Sequence, residues 1–277
     1  MILIVDALNK DQYPDILDQM FRMRARVFGE RLGWDVTIED GRERDQFDDL
    51  DPVYFIGLDA QDNVISCVRG LQTTGPHMLV DVFNAILDGQ PPLRSPNIWE
   101  ATRFCVDTDR IREKVGVGGI SYATCELTIA SIEFLKDAGI TDVVAVVDPV
   151  FDRVMRRTGN GAYDYLGKTV QIGKARAMAG LLDCTDERIA RLRAYAGIEG
   201  SVFVDEMEFR ARRTQKASHP QSLAQYFIDQ LDAAGTIEEL EAVLSLADVV
   251  LGKQDSARVT GKGGAKPLVD AVATNAK

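Results

Sequence analysis

Apolar and polar positions along this chain follow two periods, and each marks out a set of elements. Ile2–Val5 is an apolar run of strand length. From Tyr13 to Glu30 the spacing is helical: Leu17, Phe21, Arg24 and Phe28 share a stripe flanked by Ile16, Met20, Met23 and Val27, and Pro14 suits the first turn. Val53–Asp59 and Val64–Thr73 read as strands joined by the turn A-Q-D-N, which predicts a hairpin. Leu79, Phe83 and Leu87 predict a short helix over Met78–Leu87. Ile98–Val106 has six apolar residues in nine, which suits a strand buried on both faces. Ile120 to Ala138 reads as a long amphipathic helix ended by Gly139, and Ile140–Val147 as a nearly all-apolar strand. A strand, a helix and a strand in succession form a crossover, so Ile98–Val106 and Ile140–Val147 should lie parallel and close in one sheet. Asp148 and Pro149 are an N-cap and a first-turn proline for a helix that Gly159 closes. Strand-like stretches follow at Tyr163–Leu166 and Thr169–Ile172, and the next stretch fits neither period. After residue 215, Ser222–Ala234 and Ile237–Leu251 have helical spacing around Gly235, which predicts a helical hairpin, and the residues from Thr260 onward read as a flexible tail. The expected division is a main domain over residues 1–215 and an extension over 216–277.

Composition narrows the class. The 277 residues carry 32 basic and 43 acidic side chains, a net charge of −11, which argues against a general nucleic-acid or anionic-membrane surface. The four cysteines are scattered without a C-x-x-C pair, as expected for free thiols in a reducing compartment. His77 and His219 have no neighbour at ligand spacing, so neither a metal site nor a histidine triad is expected. No apolar run approaches the length of a membrane span, and M-I-L-I-V-D turns acidic too soon for a signal peptide. A cytoplasmic protein is the expectation.

Candidate chemistry begins where charge sits in apolar company. Glu100 and Arg103 lie inside the Ile98–Val106 run, and a buried charge costs several kcal/mol unless it is paired or used. In a regular strand Glu100 shares a face with Thr102 and Phe104, whereas Arg103 shares the other with Trp99 and Ala101. A bulge could turn both toward one site. Arg24 projects from an apolar helix face; taken alone, its stem covers the core while its head reaches water. Residues 35–52 hold eight acids and two arginines, a composition usual for a solvated loop. Trp34 and Phe47 argue for order there, and a loop folded over a cationic ligand is the sharper alternative.

Taken together, the segments resemble the LuxI-type acyl-homoserine-lactone synthases. The resemblance runs through R-x-x-V-F at Arg24–Phe28, Trp34, E-x-D-Q-F-D from Glu43 to Asp48, Arg69 with T-T-G-P-x-M-L and Phe83, and W-E-x-T-R-F from Trp99 to Phe104. It implies an α/β, acetyltransferase-like (GNAT-like) mixed sheet flanked by helices and splayed between its fourth and fifth strands. It implies an enzyme that joins the acyl group of an acyl carrier protein, or of acyl-CoA, to the amine of S-adenosylmethionine (SAM). The product then lactonises and methylthioadenosine leaves. SAM is a substrate, and no cofactor is expected. Its cationic groups suit carboxylates, its carboxylate suits arginine and its adenine suits aromatic rings.

By the same resemblance, Arg24, Phe28, Trp34, Asp48, Arg69 and Arg103 form or brace the SAM pocket, with Asp45 or Asp48 on the ammonium side. Glu100 is the first candidate for the base that takes the amine proton, and Asp45 the second. Phe83, Thr102 and Ala145 are expected along the acyl chain. Ala145 stands where makers of 3-oxo-acyl products carry threonine, so a 3-oxo product is disfavoured. Arg153 and Arg157 match the carrier-docking basic residues, while R-E-K-V-G-V-G-G could instead cradle CoA phosphates. Two other readings stay open: a CoA-dependent N-acyltransferase acting on another amine, and a non-catalytic binding or regulatory protein of the same fold.

Overall fold

The computed structural model describes residues 1–110, 120–157, 159–173, 175–218, 226–228, 230, 231 and 234–251. They fall into two compact units that divide between Val204 and Asp205, ahead of the expected boundary.

The first unit is built on a seven-stranded mixed sheet. Its strands are β1 (Ile2–Val5), β4 (Val53–Leu58), β5 (Val64–Gln72), β6 (Ile98–Val106), β7 (Asp142–Val147), β8 (Asp164–Ile172) and β9 (Ala175–Asp183), in the order β1-β4-β5-β6-β7-β9-β8. A small hairpin of β2 (Ile38–Glu39) and β3 (Arg42–Glu43) lies apart from it. Among these strands only β6 and β7 pair in parallel, joined through helix α3 (Tyr122–Asp137), which is the crossover the periodicity demands. Their register covers Ile98–Asp142 to Ala101–Ala145 and then stops, although both strands continue. The sheet therefore opens beyond Ala101 and Ala145, between its fourth and fifth strands.

Alternation sends different residues to the two faces. One face packs on α3 and α5 (Asp186–Ala196) through Phe55, Val68, Leu127, Ile132, Val143 and Leu192. The other carries α1 (Pro14–Arg24) over its first half. Over its second half lie the short α2 (Met78–Asp81) and a 3-10 turn at Asn84–Leu87, which bury Leu79, Ile86 and Leu87 against Val144, Ala177 and Ala179. Gly167 makes that seating possible, because a Cβ there would stand 1.8 Å from the Ile86 carbonyl oxygen.

Three elements depart from their expected form. The helix from Tyr13 does not stay α to Glu30 but widens into a π-helix over Ala25–Arg31, closed by Gly33 in the left-handed region. Such segments cluster at functional sites, and here it carries Phe28 to the site face. Met78–Leu87 is two short turns rather than one helix. The two stretches expected after Gly159 are one strand, β8, broken by an irregularity between Leu166 and Val170, and the stretch that fitted neither period supplies β9 and α5.

The second unit holds α6 (Glu206–Ser218) and α7 (Ile237–Leu251). Helix α7 begins with a reciprocal cap: the Glu239 amide donates to the Thr236 hydroxyl, and the Glu239 carboxylate accepts from the Gly235 and Thr236 amides. Phe227, Leu231, Leu240 and Ala247 form a small core. Much of the expected Ser222–Ala234 helix, the glycine segment R-E-K-V-G-V-G-G and the tail lie outside the described residues. Among the described residues no helix is long and apolar enough to cross a membrane.

Candidate active site

Three arginines and three carboxylates meet on the α1 face of β5 and β6. Arg24, fully buried at the end of α1, donates from Nε to Glu43 at 2.5 Å and from both Nη atoms to Asp48 at 2.8 and 2.9 Å. Arg69, fully buried on β5, reaches Asp45 at 2.6 and 2.9 Å, Asp48 at 2.7 Å and the Thr102 hydroxyl at 3.0 Å. Arg103 pairs with Glu43 at 3.0 Å and with Asp45 at 2.7 Å. The acidic segment is thus divided: Asp35, Glu39, Asp40, Asp49 and Asp51 are exposed, whereas Glu43, Asp45 and Asp48 turn inward onto the arginines. Its β2–β3 hairpin and the 3-10 turn at Gln46–Asp49 deliver Glu43, Asp45 and Asp48 onto the arginines, with Phe47 buried beneath the Arg69 guanidinium. Arg24 likewise does not snorkel. Three charges of each sign balance, which is the condition under which buried ions persist.

Asp48 is the most enclosed of the three acids in donors: besides the two arginines it accepts from the Tyr54 hydroxyl at 2.7 Å and the Asp45 amide at 2.9 Å. Burial alone would raise its pKa, but Arg24, then Arg69 and the Asp45 amide hold it well below the carboxylate range. Burial, then the Asp48 charge, pushes the Tyr54 hydroxyl up. Asp45 keeps 18% of its side-chain exposure, and a polar cleft of about 420 Å³ opens on it from the hairpin side.

The strand β6 is bulged. Ala101 and Thr102 pair with Gly70 and Arg69, Cys105 pairs with Cys67, and Arg103 and Phe104 together face the single residue Val68. Arg103 has φ +53°, a conformation that costs a non-glycine residue about 1–3 kcal/mol. The bulge puts Arg103 on the face of Glu100 and Thr102 and returns Phe104 to the opposite face with Trp99 and Ala101. The alternation expected for a regular strand thus fails at Arg103, as a bulge requires.

Glu100 does not pair with Arg103. Its two oxygens accept the backbone amides of Met78 and Leu79, each at 2.7 Å, so the carboxylate caps the start of α2. Burial raises its pKa to about 7, against the lowering effect of those amides and of Arg69. Nearby, Phe28 stacks on Trp34 with centroids 5.0 Å apart, Arg103 lies over the Phe28 ring, and Trp34 is half-exposed.

The three residues expected along the acyl chain do not come together. Thr102 is engaged by Arg69 on the site face. Phe83 bridges the Phe47–Met78 and Leu79–Val144 clusters. Ala145 pairs with Ala101 and so projects with Val143 toward the α3 face. Arg153 and Arg157 are exposed on α4 (Pro149–Arg157), where Asp152 pairs with Arg156. Glu43, Tyr54 and Met78 belong to the site but were not singled out by the sequence reading. Glu43 opens the E-x-D-Q-F-D motif, a usable signal, whereas Tyr54 reads only as an alternating strand residue. Among the described residues no group of His, Cys, Asp or Glu could hold a metal ion.

The model of a family described as autoinducer synthase matches residues 9–192. An acyl-homoserine-lactone synthase from Agrobacterium fabrum is 36% identical over 181 residues, 65% of this chain and 85% of that protein. The structure of the CoA-dependent acyl-homoserine lactone synthase BjaI with SAM and isopentyl-CoA is similar with a TM-score of 0.65 and 29% identity, covering 74% of this chain and 92% of that one. That of the synthase LasI is similar with a TM-score of 0.61 and 30% identity, covering 73% and 98%.

Proposed function

This chain belongs to the autoinducer synthase family, and from that premise we propose that it acylates SAM and releases an N-acyl-homoserine lactone as a quorum-sensing signal. The amine nitrogen of SAM attacks the carbonyl carbon of a thioester, the thiol leaves, and the amine proton passes to a base. The SAM carboxylate oxygen then attacks the carbon beside the sulfonium, and methylthioadenosine departs with the C–S electron pair.

The observation that carries this reading is Glu100. It is a buried carboxylate at the mouth of the sheet opening, held in place by backbone amides with no cation in hydrogen-bonding contact, and burial pushes its pKa up to about 7. A base poised near neutrality both accepts the amine proton and exists in its charged form. Asp45 is the reachable member of the arginine–carboxylate cluster and suits the ammonium side; Asp48, Arg24 and Arg69 brace it. The Phe28–Trp34 stack offers an aromatic surface for adenine. Backbone N–H groups beyond Ala101 and Ala145, which do not pair between β6 and β7, suit the tetrahedral oxyanion.

The donor is an acyl thioester of CoA or of a carrier protein. BjaI is CoA-dependent, which favours CoA, while exposed Arg153 and Arg157 on an acidic chain suit an acidic carrier. The opening beyond Ala101 and Ala145 leads to the α3 face on which Ala145 projects, and a methyl there offers no hydrogen bond to a 3-oxo group, so an acyl chain threaded through the opening is unsubstituted or hydroxylated at carbon 3. Incubation with SAM and a panel of acyl-CoA and acyl-carrier thioesters should yield lactone and methylthioadenosine by mass spectrometry. Lack of both with every donor, in protein that still binds SAM, would refute the proposal. Ala145→Thr should shift product toward 3-oxo chains in a two-donor competition, and an unmoved ratio would remove the selectivity claim.

A further inference from the structure

Building on the SAM reading above, we infer that Met78 is a displaceable stopper in a carboxylate subsite. Arg69 Nη2 and Arg103 Nη1 both donate to Met78 Sδ, at 3.3 and 3.4 Å. The other polar partners of these two guanidiniums are the carboxylates of Glu43, Asp45 and Asp48 and the hydroxyl of Thr102, and their faces lie over Phe47 and Phe28. A thioether is a weak acceptor, so two charged donors aimed at one sulfur form the most weakly bonded point of the cluster.

A ligand carboxylate placed there takes both N–H groups and is a far better partner. Asp45, shared by the same two arginines, lies alongside for an ammonium, so the subsite matches the zwitterionic end of an amino acid. Methionine suits the stopper's role, since its unbranched side chain swings away without backbone movement. The amide of Met78 meanwhile donates to Glu100 at 2.7 Å. That bond anchors the Met78 backbone while its side chain yields to the carboxylate. SAM carries that carboxylate and methylthioadenosine does not, so Met78 distinguishes substrate from product.

The test uses the full chain labelled with methyl-13C methionine, whose seven methionines each contribute one methyl signal. Met78→Leu assigns the Met78 signal by its loss, or Met78→Gln should the first variant not fold. Binding of SAM and of methylthioadenosine is followed in parallel by calorimetry. Saturating SAM should move the Met78 signal, while saturating methylthioadenosine should leave it in place. SAM that binds without moving the signal, or methylthioadenosine that moves it equally, would overturn the stopper. Absence of SAM binding by calorimetry would overturn the substrate reading itself and the stopper with it.

Discussion

Asp48 and Glu100 are two buried carboxylates on one face of the same sheet, and their surroundings push them in opposite directions. Asp48 has two guanidiniums, a phenol and an amide. Glu100 has two amides and no guanidinium in hydrogen-bonding contact. The guanidiniums hold the first well below the carboxylate range, and burial raises the second to about 7, which suits the proton-accepting role proposed for it. What separates a structural acid from a chemical one here is cationic company, since both are equally hidden from water.

That contrast can be attacked from both sides. Glu100→Gln should slow single-turnover acylation by about 10²–10⁴-fold while SAM affinity measured by calorimetry changes little. An undiminished rate would return Glu100 to helix capping alone. Asp48→Asn should leave Arg24 and Arg69 short of a buried partner and cost about 3–5 kcal/mol in urea unfolding. A loss no larger than that of a surface substitution would mean the cluster is not one electrostatic unit.

The pH dependence has opposite signs at the two sites. Glu100 binds its proton more tightly folded than unfolded, so its contribution to stability is full below the ordinary glutamate value of 4.5 and is lost as pH rises to about 7. The acylation rate should rise over the same upper limb, because only the carboxylate takes a proton. Glu100→Gln should flatten both curves. Asp48 is depressed, so its stabilisation is present above about pH 4 and is lost in acid, which Asp48→Asn should abolish. The smallest effect belongs to Tyr54→Phe, which removes one of several donors to Asp48 and should cost about 1 kcal/mol in the same unfolding assay.

Much of this architecture was legible in the residue pattern. The crossover from β6 through α3 to β7 and the β4–β5 hairpin follow from period and turn residues, whereas the gathering of Arg24, Asp45, Asp48, Arg69 and Arg103 was implied only by the family resemblance. The bulge at Arg103 was open as an alternative only, because no glycine marks it and an arginine at positive φ contradicts local preference. The attachment of Glu100 to α2 joins residues 22 positions apart through backbone amides, which carry no side-chain signature. Thr102 and Ala145 were grouped by family resemblance, yet the pleat sends them to opposite faces. The π-helix escaped notice because its apolar stripe differs little from that of an α-helix over so few residues.

The left-handed backbone at Arg103 also bears on how this sequence can drift. A glycine there would relax the chain and surrender the guanidinium, so a step toward easier folding is a step away from the site. Arg103→Gly should therefore lose less stability than Arg103→Ala, which forfeits the same ion pairs and keeps the strained φ. Position 103 acts as a one-way gate for variation: once glycine enters, selection for stability alone has no reason to bring the arginine back.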